Sequence, residues 1–208
     1  LPLAATVFEA AYRLHEKQQG WEKEEKTEEW LPIVSDLMMF FADRLKVHMR
    51  ERGVRHDHVD AVFAHGGESD LVRLMARANA LSEFLATEDG ENLLTAYSRA
   101  ANILKIEEKK DGRSYAKAPD PALYHDGEEK VLVSTIDSIV PEIESAVSDE
   151  RFSESMSLLA ALRKPVDDFF EAVIVNADDP ALRENRLKLL NRIRSALDGV
   201  ADFSRIEG

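Results

Sequence analysis

Cysteine is absent from the 208 residues. That removes disulfides, thiolate zinc sites and cysteine nucleophiles together, and it fits a reducing compartment, so a cytoplasmic location is the expectation. Long apolar runs are absent too. Leu37-Met38-Met39-Phe40-Phe41-Ala42 is among the longest, far short of the ~18 residues that suggest a membrane span. The N-terminus has no basic region ahead of an apolar one, so no membrane partner is expected. Glycine is sparse, and Gly66-Gly67 and Gly112 are isolated. They form no Gly-rich phosphate cradle, and there is no nucleophile elbow. Alternation at period two is almost missing, which leaves little room for strands. Positive charge is also short: 27 Lys and Arg face 40 Asp and Glu, for a formal charge of −13. Taken whole, that balance argues against a phosphate-backbone partner, whose affinity rests on Lys and Arg.

The sum hides its distribution. Residues 119–159 alone carry −8, against −4 for residues 1–69, zero for 70–118 and −1 for 160–208. Arg99 to Lys117 holds six cations against three anions, and Arg183 to Arg194 holds five against one. Local cationic stretches therefore survive inside an acidic chain. The acidic segment reads as a solvated face, or as one that repels RNA from a wrong docking surface.

What is present is helical periodicity, with 44% apolar residues, enough for a sizeable core. The chain opens inside an apolar stripe, Leu3, Val7, Ala11 and Leu14, with no initiator Met, and reads as a fragment. After the charged stretch Gly20 to Lys26, a helix is predicted over roughly Ile33 to Arg52, closed by Gly53. A short one follows over Asp57 to Ala64, before the boundary at His65-Gly66-Gly67. Ser69 is a candidate N-cap for a helix to about Ala86, and Asp89 opens the next, over Glu91 to Lys110, which stops at Asp111-Gly112. Gly112 to Asp126 reads as a loop. Asp126 and Glu129 form a capping box for a helix that Pro141 should kink or break. A helix over Glu154 to Val175, kinked at Pro165 and stopped at Asn176, precedes a last one to about Ala201, started by Asp179-Pro180. The expected fold is all-α: a helical segment over residues 1–66, then a bundle over residues 67–208.

Catalytic signals are thin. Arg55-His56-Asp57-His58, with Asp60 and His65, is the best candidate metal cluster, since positions 58 and 65 share a helical face. A polar helix start capped by Asp57 explains the same letters more cheaply. The basic runs say more. At about 100° per residue, Leu93, Leu94, Tyr97, Ala100, Ala101 and Leu104 share one face. Thr95, Ser98, Arg99, Asn102, Lys105, Lys109 and Lys110 lie opposite, with Arg113, Tyr115 and Lys117 in the adjoining loop. Folded RNA asks for cations to hold phosphates, Asn and Arg to read base edges, and a mobile Tyr to stack on an unpaired base. A solvated face whose lysines complement the helix dipole is the plainer alternative. In the last helix Arg186 projects within the apolar span of Leu182, Leu189, Ile193, Leu197 and Val200. It requires a fixed acidic partner or a gap leading to a ligand. Arg183 and Arg194 lie beside the stripe, within reach of a nucleic acid or partner subunit.

The string Asn92-Leu93-Leu94-Thr95-Ala96-Tyr97-Ser98-Arg99-Ala100-Ala101-Asn102-Ile103-Leu104 resembles a characteristic segment of the bacterial glycyl-tRNA synthetase (glycine–tRNA ligase) beta subunit. So does Leu162 to Asn176, containing Arg163-Lys164-Pro165-Val166-Asp167-Asp168-Phe169-Phe170. Leu182-Arg183-Glu184-Asn185-Arg186-Leu187-Lys188-Leu189-Leu190 and the ending Ala201-Asp202-Phe203-Ser204 also fit. The likeness is close over residues 70–208 and looser over 36–64. It implies a C-terminal, all-helical anticodon-binding domain of the DALR type, shared with arginyl-tRNA synthetase. In such an enzyme the alpha subunit holds the class II site that uses ATP, Mg and glycine, so no cofactor and no catalytic residue is expected in this chain. The implied partners are tRNA(Gly), through its anticodon region, and the alpha subunit; DNA is not one.

Glycine anticodons end in two cytosines, and each unpaired cytosine offers an N4 amino donor with N3 and O2 acceptors. A reader needs acceptors beside donors. Arg99, Asn102, Arg183 and Arg186 supply both kinds, while Lys105, Lys109, Lys110, Arg113 and Lys117 position the backbone and Tyr115 stacks. The competing expectation is a subunit-docking module with little RNA contact, which an exposed stripe such as Phe40 and Phe41 would favour.

Overall fold

The protein is represented by a computed structural model that describes residues 27–65 and 70–207. The stripe at Leu3 to Leu14, the stretch Gly20 to Lys26, Gly66-Gly67 and Ser69 lie outside the described residues. Among the described residues there are eight α-helices, two 3-10 turns and no strand.

The boundaries follow local chemistry. Helix α1 covers Thr27–Glu51, so its described part extends N-terminal to the apolar pattern that starts at Ile33. It ends in a Schellman motif: Gly53 takes φ +87, and the N–H groups of Gly53 and Val54 donate to the Arg50 and Met49 carbonyls at 2.9 and 3.1 Å. Helix α2 is His56–His65. Helix α3, Leu71–Leu85, is capped by Asp70, whose carboxylate accepts from the Val72 and Arg73 N–H groups. Helix α4, Glu88–Asp111, is capped by Thr87 rather than opened by Asp89, and it stops at Gly112 in the left-handed conformation. The turn before it is tight. Thr87 donates its hydroxyl to the Phe84 carbonyl at 2.7 Å and accepts from the Gly90 N–H at 3.1 Å.

The loop after Gly112 contains a 3-10 turn, Pro121–Leu123. Helix α5, Gly127–Ser148, begins with the Asp126/Glu129 capping box and runs through Pro141 without the expected break. Pro141 and Asp137 are both exposed, so water can satisfy the carbonyl that loses its partner. The predicted helix over Glu154 to Val175 is instead two helices, α6 at Phe152–Ala160 and α7 at Arg163–Ala172. The chain turns at Ala161-Leu162, which places Pro165 in a first turn where its missing N–H costs nothing. Helix α8, Pro180–Asp198, starts at the Asp179 cap with Pro at its first position, and a final 3-10 turn spans Phe203–Arg205.

The core is continuous. Leu81, Leu93, Leu104, Leu132, Leu159, Phe169, Leu187 and Phe203 are all essentially inaccessible, each worth about 1.5–3 kcal/mol of burial. Helix α4 packs on α8, α5 packs on α6 and α7, and α3 packs on α6. The C-terminal end folds back over α2: the Asp202 N–H donates to the Ala61 carbonyl at 3.0 Å, and the Glu207 N–H donates to Asp57 at 2.9 Å. Arg55 bridges the same junction, donating to Asp57 and to the Glu207 carbonyl.

Candidate nucleic-acid interface

Helix α4 is central because its apolar face must be buried and its cations cannot follow. Leu93, Leu94, Tyr97, Ala100 and Leu104 are buried, while Thr95, Arg99, Asn102, Lys105, Lys109 and Lys110 are exposed. The polar residues do not form one flat face. Arg99 and Lys105 are six residues apart, about 120° around the axis. Arg99 leans toward α7, its guanidinium 4.2 Å from the Phe170 ring centroid. There it lines a shallow recess with Asn92, Thr95, Asp167 and Glu171. Lys105 flanks the opposite side, toward α8, with Asn102 and Lys109 on the ridge between. Lys110 pairs with Glu107 at 3.6 Å and stays largely exposed. Lys105, Lys109 and Lys117 are exposed and make no ion pair with the described residues.

Three of the expected RNA contacts are committed elsewhere. Tyr115 is 1% exposed, and its hydroxyl donates to Asp111, so it is a packed ring rather than a mobile stacking surface. Burial, and then the Asp111 contact, push its pKa up. Arg183 donates to Asp111 at 2.7 Å and to Glu107; those two carboxylates hold its guanidinium charged, with its pKa raised. Asn176 completes the group by donating to Glu107 at 3.2 Å. Arg186 is 7% exposed and fully engaged, with Glu129 at 2.9 Å, Asp126 at 2.7 Å and the Ile174 carbonyl at 2.9 Å. It takes the acidic partner and not the gap. Arg113 remains exposed, ion-paired to Glu184 at 2.9 Å and 5.2 Å from the Tyr115 ring. Together these contacts fix the end of α4 against the start of α8, and so position the lysines rather than add to them.

The acidic segment is not simply a solvated face. Glu129 and Asp126 neutralise Arg186, Asp137 pairs with Arg192 at 2.5 Å, and Glu150 pairs with Arg73 at 2.8 Å. The polar start of α2 is equally structural. Asp57 is buried; burial alone would raise its pKa, but hydrogen bonds from Arg55 and the Glu207 N–H outweigh that and lower it to about 2. His58 Nδ1 lies 3.2 Å from Ser82 Oγ, and burial lowers its pKa. Among the described residues no group of three or more His, Cys, Asp or Glu is placed to hold a metal ion, and no described helix is long and apolar enough to cross a membrane.

Two recesses flank α8 beside the α4 ridge. One, about 640 Å³, is lined by Lys105, Glu108, Arg194 and Asp198 among others. The second, about 560 Å³, is lined by Lys117, Ile136, Val140 and Arg192 among others. Ala116, Asn191 and Ser195 line both. Neither charge nor motif in the sequence singles out Asn191 and Ser195 as lining these recesses. The available signal was an asparagine four residues after Leu187, a polar residue on a helix's apolar stripe.

A helical bundle that presents exposed polar side chains on the outer faces of two packed helices has the surface of a binding module. Residues 93–203, running from α4 to the terminal turn and covering more than half of the chain, match the family described as DALR anticodon binding domain. The chain belongs to that family. It is also similar to proteins named glycine–tRNA ligase beta subunit: 56% identical over 177 residues to that of Rhodospirillum centenum, covering 85% of this chain and 25% of the relative. The corresponding figures are 51% over 174 residues, 84% and 25%, for Paracoccus denitrificans, and 48% over 182 residues, 88% and 26%, for Cereibacter sphaeroides. The chain thus spans about a quarter of the length of the curated relatives it matches.

Proposed function

We propose that this chain is the anticodon-binding part of a glycyl-tRNA synthetase beta subunit in the cytoplasm, and that it holds tRNA(Gly) by its anticodon region while the alpha subunit uses ATP and Mg to attach glycine. The carrying observation is a coincidence of family match and exposure. The segment that matches the anticodon-binding family contains the α4 face where Asn102, Lys105 and Lys109 are exposed, and the following loop where Lys117 is exposed; none of these three lysines makes an ion pair with the described residues. In this reading Lys105, Lys109 and Lys117 hold phosphates, and Lys110 and Arg113 add weaker attraction because each already has a carboxylate neighbour. Asn102 offers an amide donor and acceptor to a base edge, and Arg99, stacked on Phe170, contacts the strand from the other flank.

The test is a gel-shift titration of the chain with tRNA(Gly) and with the same tRNA carrying a changed anticodon, at low and moderate salt. Tighter binding of the cognate anticodon, weakening as salt rises, supports the reading; no preference between the two tRNAs contradicts it.

A second reading is favoured by one observation: Phe41 is half-buried, but Phe40 is 53% exposed, as are Met39 and Val47 of α1 at 57% and 47%. Such a stripe suits a protein neighbour. Retained association with the alpha subunit, without tRNA binding, would select docking over RNA recognition.

A further inference from the structure

We propose that residues 3–14 form a helix that docks antiparallel along the outer face of α1, with Leu14 over Phe40 and Val7 over Val47. The inference does not depend on the RNA-binding reading above, and it closes the α1 stripe to a protein neighbour.

The first support is the bare side of α1. Its inner side is occupied: Met49 is buried and Leu45 packs against the core, where α1 meets α2 and α3. On the other side Asp36, Phe40, Asp43 and Val47 follow one another at spacings of 4, 3 and 4, which is one stripe of a helix. All four are exposed. The Phe40 ring lies 5.8 Å from Phe41 and 5.4 Å from the Arg44 guanidinium, both on its own helix. Neither aspartate makes an ion pair with the described residues. Exposed apolar residues beside uncompensated carboxylates ask for a cover that is apolar along its middle and cationic along one edge.

The second support is that the chain itself carries such a cover. Leu3, Val7, Ala10 and Leu14 repeat the spacings 4, 3 and 4, with Arg13 and Lys17 one turn apart along one edge of the stripe. In an antiparallel pair of helices matching edges lie side by side. Setting Leu14 on Phe40 and Val7 on Val47 therefore brings Arg13 and Lys17 beside Asp43 and Asp36. The connection is long enough. Residues 15–26 can span up to about 40 Å, and the run of α1 from Thr27 to Phe40 is about 20 Å at 1.5 Å per residue. A second copy of the chain is the weaker occupant. A stable dimer buries about 800 Å² on each partner, whereas this face offers Met39, Phe40 and Val47 as its exposed large apolar residues. Tethering raises the effective concentration of residues 3–14 to about the millimolar range, at which so small a contact suffices.

The lack of cysteine permits a direct test in the full 208-residue chain. One double variant combines Ala10→Cys with Asp43→Cys, which the docked helix brings face to face. The other combines Glu9→Cys with Asp43→Cys, which puts the first thiol on the far side of that helix. Disulfide formation under a mild oxidant at low protein concentration is followed on non-reducing gels, and each protein is checked by thermal melting. The first pair is expected to close within one chain faster than the second by about tenfold or more. Adding Val7→Asp to the first pair should bring its rate down to that of the second. Equal rates for the two pairs would reveal a loose tether and overturn the docking. Disulfides that join two chains in preference to closing within one would assign the face to a second copy, and overturn it as well.

Discussion

The Nε–H of Arg186 donates to Oε1 of Glu129 at 2.9 Å, a contact between α8 and α5 that brings together residues 57 apart in sequence. Glu129 is 0% exposed, and its other oxygen accepts from the N–H groups of His125 and Asp126 at 2.7 and 2.8 Å. One carboxylate thus caps α5 and neutralises α8 at once. Arg186 also donates to the Ile174 carbonyl, so the same guanidinium fixes the segment between α7 and α8. An arginine that looks like an RNA contact on a helical wheel is a strut of the bundle.

Removing one partner leaves a buried charge without its counterpart. Arg186→Met is expected to cost about 3–5 kcal/mol of stability, while tRNA affinity measured well below the melting temperature should stay within about twofold. Chemical denaturation checks the first expectation, and anisotropy at low temperature the second. A selective loss of tRNA binding with unchanged stability would restore Arg186 to the interface.

Gly90 is fixed by proximity. A Cβ at this buried position would overlap the Phe84 carbonyl and crowd Leu85, and backbone atoms cannot step aside as a flexible side chain can. Gly90→Ala should therefore destabilise by about 1–3 kcal/mol despite alanine's better helix propensity. Denaturant midpoints of the two proteins decide the sign.

Asp57 makes acid stability depend on the C-terminal strap. Its pKa is lowered from 3.8 to about 2, so the folded state prefers the carboxylate. Its contribution is fully present above the ordinary value of 3.8, and it is lost as pH falls toward about 2. Asp57→Asn is expected to be less stable at pH 7, with the gap to the unaltered chain closing between roughly pH 4 and pH 2. Melting temperatures across that range, with the pH 7 difference as reference, are the readout.

The cationic ridge carries its own expectation. Each of Lys105→Ala, Lys109→Ala and Lys117→Ala should weaken every tRNA alike and reduce the slope of log affinity against log salt by about 0.7–1. Arg183→Ala should act differently. Its loss frees Glu107 and Asp111, so stability falls and tRNA binding suffers only as the end of α4 loosens.

What was legible in the sequence is what depends on neighbours along the chain. Gly53 and Gly112 end their helices, Asp179-Pro180 starts one, and the Asp126/Glu129 box is formed, because caps act within one turn. The residues that face the core of α4 were legible for the same reason. A helical wheel gives direction but not what lies across. It could not show that Tyr115 turns inward onto Asp111, that Arg183 and Arg186 meet carboxylates from other helices, or that Asn191 borders two recesses. The turn at Ala161-Leu162 was missed because apolar residues continue through it, with Leu159 and Leu162 both inaccessible.

The net charge of −13 leaves little long-range attraction for RNA, so the proposed tRNA recognition depends on the local cations of α4 and the loop that follows it. The most direct measurement is equilibrium binding of the chain to two isolated RNA pieces, the anticodon stem-loop and the acceptor stem of tRNA(Gly), with and without combined Lys105→Ala, Lys109→Ala and Lys117→Ala. Salt-sensitive binding to the anticodon stem-loop alone, abolished by the triple substitution, is the expected result. Equal affinity for both pieces, or binding that survives the triple substitution, would contradict the assignment of this face to the anticodon.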